Sequence, residues 1–157
     1  MAAKLGRLAA NNTAFLLCDI QEKFRPSIRY FPEIIKVAQR MAEAANILKI
    51  PIIATEQYPK GLGNTVEEID TSSFKERVFS KTKFSMVIPE VEEQLKQLKI
   101  ENIVLMGIER IRQIGGFVTT SECTLFMLLG DSKHPNFREV QSLVKTAAPD
   151  SGLLSKV

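Results

Sequence analysis

The chain alternates short apolar runs with amphipathic segments. Apolar runs occupy residues 14–20, 50–56 and 102–108, and runs of this length predict strands buried on both faces of a parallel sheet. Between the first two runs, apolar residues recur at helical spacing as far as Leu48, and Pro32 stands where it suits the first turn of a helix. The pattern therefore predicts a β-α-β unit in the first part of the chain.

The remaining sequence continues the alternation with less regular elements. Residues 65–85 are charged and irregular, and they predict neither a strand nor a helix. The later elements are predicted as a helix from Pro89, a strand over 115–120, a helix over 123–129 and a last helix from Pro135. Thr119, with Glu122 three residues later, predicts a capping box for the 123–129 helix. Strands that alternate with helices favour an open α/β sheet, whose ligands bind at the carboxyl ends of the strands.

The composition is that of a globular domain without an obvious polymeric partner. Of the 157 residues, 45% are apolar and 25% charged, and we assign residues 1–157 to a single domain. The 21 basic residues are scattered among 18 acidic ones, so no nucleic-acid footprint is visible. No apolar stretch reaches the roughly 18 residues that a membrane helix requires. We expect neither nucleic acid nor a membrane as a partner.

Cysteine and histidine usage argues against a metal site. Cys18 and Cys123 lack metal-binding spacing and His134 is the single histidine, so the sequence predicts neither a zinc site nor a disulfide framework. This favours a reducing, cytoplasmic setting. The N-terminal residues and the terminal Ser155-Lys-Val157 resemble mitochondrial and peroxisomal signals only weakly.

Two charged residues are the leading candidates for chemistry. Asp19 closes the first predicted strand, at the sheet edge where this fold places its ligands. A carboxylate there either takes part in function or caps the following turn. Lys81 falls in a predicted polar loop, where it either is solvated, holds a neighbouring carboxylate ionised or shuttles protons.

The thiols and the imidazole have structural interpretations. Cys18 is adjacent to Asp19 on a strand, so we expect it to point to the opposite face and to pack in the core. Cys123 lies in the first turn of an apolar helix and is predicted to be a small buried residue. His134, followed by Pro135, is predicted to position the last helix.

Six motifs in a fixed order resemble one known family. They are Cys18-Asp-Ile-Gln-Glu-Lys-Phe24, Thr55-Glu-Gln-Tyr-Pro59, Lys81-Thr-Lys-Phe-Ser-Met86, Val104-Leu-Met-Gly-Ile-Glu109, Val118-Thr-Thr-Ser-Glu122 and His134-Pro-Asn-Phe137. Together they resemble the isochorismatase-like cysteine hydrolases, particularly the animal isochorismatase domain-containing proteins. The resemblance implies a three-layer, mainly parallel sheet with helices on both faces, and oligomers of identical subunits.

The resemblance also implies a catalytic set and a reaction class. Such relatives use an Asp, a Lys and a Cys, and by motif the first two are Asp19 and Lys81. Gln21 and Phe24 would line the substrate pocket, and a backbone oxyanion hole near a cis peptide would map to Ile108-Glu109. The implied chemistry is hydrolysis of a small carbonyl compound without metal or cofactor, in which the carboxylate takes the thiol proton and the thiolate attacks carbon.

The match breaks after Glu109. The family continues there through a helix that carries the nucleophilic Cys, a strand and a second helix, and this chain proceeds directly to Arg110. The missing strand and two helices amount to roughly 40 residues on ordinary element lengths. The position of the nucleophile falls on Gln113, whose amide cannot attack a carbonyl. Only eight residues link Glu109 to Gly116, which is too few for a helical crossover, so we expect a truncated isoform with an incomplete sheet.

Three functions are consistent with this sequence. The chain is expected to be a catalytically silent member of the hydrolase family that retains Asp19 and Lys81, and to act on a small-molecule substrate only if it is active. One alternative is a residual hydrolase in which Asp19 activates water. The other is a non-catalytic module that associates with full-length relatives. Nothing in the sequence names a substrate.

Overall fold

A parallel four-stranded sheet forms the centre of the molecule. The computed structural model describes residues 8–107 and 120–145. The strands are β1 (Thr13–Cys18), β2 (Ile52–Gln57), β3 (Val78–Lys81) and β4 (Asn102–Gly107). Their spatial order is β3-β2-β1-β4, and every neighbouring pair is parallel. The predicted α/β fold with a parallel sheet is confirmed.

Helices cover both faces of this sheet. They are α1 (Phe31–Leu48), α2 (Pro59–Leu62), α3 (Pro89–Gln97), α4 (Ser121–Leu129) and α5 (Phe137–Val144). Short 3-10 helices lie at Ala10–Asn12, Glu22–Phe24 and Ser72–Arg77. Prolines open α1, α2 and α3 at the first or second helical position, where a missing backbone N–H costs nothing.

Alternation along β1 divides the core into two clusters. Phe15 and Leu17 point to one face and pack with residues of α1, α4 and α5. Leu16 and Cys18 point to the other face and pack with Val91 of α3. Since every residue of β1 is buried, this strand is the centre of a three-layer arrangement, as its apolar run predicts.

The strand register brings the ends of all four described strands to one edge. Cys18, the last residue of β1, pairs with Thr55 on β2 and with Gly107 on β4. Gln57, the last residue of β2, pairs with Lys81, the last residue of β3. Residues that follow or close these strands therefore meet at the carboxyl edge of the sheet.

Strand β3 is absent from the sequence prediction. It lies within the charged stretch predicted as irregular, and Lys81 is the single buried residue among its four. Lys81 therefore closes a strand, and its predicted position in a polar loop is wrong. Pairing with β2 forms this strand, and a contact between distant segments leaves no periodic signal in so short a run.

Two features of α4 differ from the prediction. Its capping residue is Thr120, whose side-chain oxygen accepts a hydrogen bond from the backbone N–H of Cys123 at 3.2 Å, whereas Thr119 was expected. Cys123 itself is exposed, so its predicted burial is wrong. The apolar side of α4 that packs on the core carries Leu125 and Leu128 instead.

His134 positions the last helix as predicted. Its ring Nδ1 accepts a hydrogen bond from the backbone N–H of Asn136 at 3.1 Å, and its backbone carbonyl accepts one from Phe137. Asn136 in turn donates to the backbone carbonyl of Ile47 near the end of α1. The loop before α5 is thereby joined to α1.

Strand β4 is less well covered than its neighbour. Ile103 is 50% exposed, whereas Ala14, its register partner on β1, is fully buried. Residues 108–119 lie outside the described residues. They include Ile108, Glu109, Gln113, the eight-residue link and all of the predicted strand at 115–120 except Thr120.

Candidate functional site

The site is built on a backbone turn at the end of β1. Asp19 has a φ of 52°, in the left-handed region that aspartate tolerates better than most residues. Its backbone N–H donates to the carbonyl of Thr55 at 3.1 Å, which keeps the turn against β2. Left-handed residues that are not glycine concentrate at functional sites, so the conformation supports Asp19 as a candidate.

A buried ion pair joins this turn to β3. The Lys81 Nζ lies 2.6 Å from Asp19 Oδ2, and the two side chains are 1% and 11% exposed. The Thr55 hydroxyl donates to the other carboxylate oxygen, Oδ1, at 2.8 Å. Side chains from neighbouring strands therefore engage both oxygens of Asp19, which the turn-capping alternative does not require.

The Lys81 ammonium is saturated with acceptors. Its three N–H donors meet Asp19 Oδ2 at 2.6 Å, Gln57 Oε1 at 2.8 Å and the backbone carbonyl of Lys83 at 3.2 Å. A solvated lysine is excluded by this burial and by these contacts. The arrangement favours Lys81 as a fixed counter-ion of Asp19, because no donor remains for a further partner.

The sequence prediction missed Thr55 and Gln57. Both belong to a motif that carried the family resemblance, yet neither was given a role. Residues two apart on a strand share a face, so Thr55 and Gln57 point to the same side of β2. The register with β3 identifies Gln57, which is opposite Lys81, and the turn at Asp19 brings its carboxylate to Thr55.

The face that carries these residues also carries Cys18. Cys18 pairs with Thr55 and packs in the cluster of Leu16 and Ile53, on the same face of the sheet. The expectation that Cys18 and Asp19 point to opposite faces is wrong, because the left-handed turn at Asp19 interrupts strand alternation. Its predicted burial is confirmed, with 0% exposure.

Gln21 joins the segment after Asp19 to β2. Its Nε2 donates to the carbonyls of Gln57 and Gly63, and its Oε1 accepts from the backbone N–H of Gln57 at 2.7 Å. Gln21 is fully buried, whereas Phe24 is partly buried against the main cluster. Gln21 thus holds the segment after Asp19 against β2, and the roles of Gln21 and Phe24 in substrate binding stay predictions.

An exposed charge cluster braces the same segment from outside. The Arg25 guanidinium donates to the carboxylates of Glu22 and Glu68 at 2.6 to 2.9 Å. These hydrogen bonds lower the pKa of Glu22 and the pKa of Glu68. Because all three side chains are well exposed, solvent screening keeps their contribution to stability small.

A separate open pocket lies beside Glu56 of β2. It has a volume of about 550 Å³ and is lined by Glu56, Thr65 and Ile69 among others, and neither Asp19 nor Lys81 belongs to its lining. Glu56 is buried, and its Oε1 accepts two hydrogen bonds from Thr65. Glu56 thus holds the loop after α2 against β2.

The described residues contain no metal cluster and no membrane-spanning helix. Within 8–107 and 120–145, no group of three or more histidine, cysteine, aspartate or glutamate side chains could hold a metal ion. No helix in these ranges is long and apolar enough to cross a membrane.

Comparison with known proteins assigns the family. The family model of the isochorismatase domain matches residues 13–110. Isochorismatase domain-containing protein 1 of Salmo salar is 43% identical, over 98% of this chain and 68% of its own length. The chain belongs to the isochorismatase domain family. Isochorismatase domain-containing protein 2 of Xenopus laevis is also 43% identical, over 97% of this chain and 93% of its own length.

A solved structure has the same fold. It is described as the MAR1 ribonuclease of Caenorhabditis elegans, and it superposes with a TM-score of 0.78 at 38% identity. The match covers 95% of this chain and 97% of that one.

The extent of these matches bears on the predicted omission. The alignment with the Salmo salar isochorismatase domain protein runs over 193 positions, so at least 36 of them have no residue among the 157 of this chain. The isochorismatase family match ends at residue 110, directly after Glu109. These matches do not show where the unmatched positions lie in this chain, so the omission after Glu109 stays a prediction.

Proposed function

We propose that this isochorismatase domain binds a small carbonyl compound beside Asp19 and does not hydrolyse it by a thiol mechanism. The observation that carries the proposal is a formed Asp19–Lys81 pair with no accessible thiol beside it among the described residues. Cys18 shares the face but is fully buried. Cys123 is exposed on α4, which packs on the opposite face of the sheet.

The site holds a carboxylate and an ammonium without an accessible thiol among the described residues. The Asp19 carboxylate fits the role of a general base, but the thiol mechanism requires a thiol whose proton it can take. In the family resemblance that nucleophile belongs to the omitted segment. A site that keeps its acid–base pair and lacks the attacking group can bind a substrate and leave it intact.

Hydrolysis assays on purified protein test this proposal. The panel holds small amides, esters, vinyl ethers and, because the Caenorhabditis elegans neighbour is described as a ribonuclease, an RNA oligonucleotide. We expect rates equal to the buffer background and equal to those of Asp19→Asn. Turnover that disappears in Asp19→Asn but persists in Cys123→Ser would establish the residual Asp-based hydrolase instead. Turnover lost in Cys123→Ser would establish a thiol enzyme.

A second candidate is a module that associates with full-length relatives. The half-exposed Ile103 on β4 favours it, because β4 stands at one end of the described strand order and an exposed apolar side chain there is available to contact another chain. We expect this chain to co-elute in size-exclusion chromatography with a full-length isochorismatase domain protein. Ile103→Lys should abolish co-elution, and Lys99→Ala, which alters an exposed residue before β4, should not. Separate elution of the two unmodified chains would contradict this candidate.

A further inference from the structure

Gln57 is the third partner of the Lys81 ammonium. Its Oε1 accepts from Nζ at 2.8 Å, and its Nε2 donates to the backbone carbonyl of Thr82 at 2.9 Å. The side-chain amide thus has a fixed orientation, with the oxygen towards Lys81 and the nitrogen towards the chain beyond β3. An amide anchored at both ends is a rigid acceptor.

The main chain of Gln57 is held independently of its side chain. Its backbone N–H donates to Gln21 Oε1 and its carbonyl accepts from Gln21 Nε2. Its pairing with Lys81 in the sheet also belongs to the backbone. A substitution of the side chain therefore leaves these contacts available and acts mainly on the ammonium.

The remaining contacts of Lys81 show what the Gln57 amide adds. Asp19 supplies the charge and the carbonyl of Lys83 supplies the weakest contact, at 3.2 Å. Without Gln57, one N–H of a side chain that is 99% buried would lack an acceptor. An unpaired donor of this kind draws the ammonium towards water and away from the carboxylate.

We propose that Gln57 is a positioning residue, which holds Lys81 as a saturated counter-ion so that Asp19 is the charged group presented to a ligand. Asp19 is the more exposed member of the pair, with 11% of its side chain accessible against 1% for Lys81. That Asp19 faces a ligand rests on the proposed function, whereas the positioning of Lys81 by Gln57 does not. The positioning of Lys81 can be tested without a ligand, so a negative result for it can be told apart from a failure of ligand binding.

Chemical labelling of lysines measures the protection of Lys81 directly. The unmodified protein is treated with limiting acetic anhydride, and acetylation at Lys81 is quantified by peptide mass spectrometry relative to exposed Lys96. A buried, hydrogen-bonded ammonium reacts only when it opens to solvent. Gln57→Leu removes one hydrogen bond to a charged group, and the loss of such a bond favours opening of the side chain by about tenfold. We therefore expect labelling of Lys81 in this variant to rise about tenfold.

Three matched variants distinguish a specific effect on Lys81 from a general destabilisation of the fold. Gln57→Glu keeps an acceptor for Lys81 and loses the donor to Thr82, and it should restore the protection. Thr55→Val removes the hydrogen bond to Asp19 from the same strand and leaves all three acceptors of Lys81, so its labelling should stay near that of the unmodified protein. Gln97→Leu makes the same change on the exposed face of α3 and should have no effect.

The outcomes decide the inference in either direction. Labelling of Lys81 that rises in Gln57→Leu alone supports it. Equal labelling of Lys81 in Gln57→Leu and the unmodified protein would overturn it, and so would an equal rise in Thr55→Val or a failure of Gln57→Glu to restore protection. Failure of the protein to bind any carbonyl compound, with the labelling pattern as expected, would count against the proposed function and leave the positioning of Lys81 standing.

Discussion

Lys81→Met is expected to lower the free energy of unfolding by about 3 to 5 kcal/mol, the range for breaking a buried ion pair on one side. The substitution leaves the Asp19 carboxylate at the carboxyl edge of the sheet with the Thr55 hydroxyl as its described side-chain partner. An uncompensated charge in a side chain that is 11% exposed cannot be solvated fully. Urea denaturation followed by circular dichroism gives the change.

The double variant Asp19→Asn/Lys81→Met is the control for this experiment. It removes both charges, and we expect it to recover most of the lost stability because a neutral pair needs no counter-ion. Arg25→Met removes two exposed ion pairs and should change stability little. A double variant no more stable than Lys81→Met would show that lost packing, and not the unpaired carboxylate, causes the effect.

The central part of the fold follows from the sequence because its elements are strongly patterned. Strand β1 is buried along its whole length, so its apolar run predicts a buried strand and agrees with the structure. Asp19 then follows at the carboxyl end of this strand. Helix α1 likewise has one buried stripe, which includes Ile35, Ala38 and Met41. Where local pattern and burial agree, the position of a candidate residue can be read from the chain.

Other features depend on contacts between segments that are distant in the sequence, or on single backbone angles, and these leave no local pattern. Helix α4 is apolar around most of its surface, with Phe126 and Met127 more than 40% exposed, so the sequence does not reveal which side faces the core or that Cys123 faces solvent. Lys81 is placed by pairing of β3 with β2. The relation of Cys18 to Asp19 depends on a single backbone angle, which strand alternation does not predict.

The close approach of β4 to β1 makes Gly107 the most sensitive position at this edge. Gly107 pairs with Cys18 and has a φ of 117°, a conformation that residues with a side chain rarely adopt. A Cβ at this position would overlap the backbone carbonyl oxygen of Cys18. Because Asp19 follows Cys18 directly, a shift of Cys18 that relieves the overlap also moves the turn that carries the carboxylate.

Gly107→Ala is therefore expected to lower the free energy of unfolding by more than about 3 kcal/mol, in the upper range for single substitutions. Gly130→Ala is the matched control, since Gly130 also has a positive φ of 70° but a Cβ there meets nothing within 4 Å. Its cost should come from backbone strain alone and should be smaller than that of Gly107→Ala. Urea denaturation of both variants compares their free energies of unfolding, and the difference measures the steric overlap at Gly107. Equal decreases in the two variants would show that β4 and β1 are not in such close contact at Cys18.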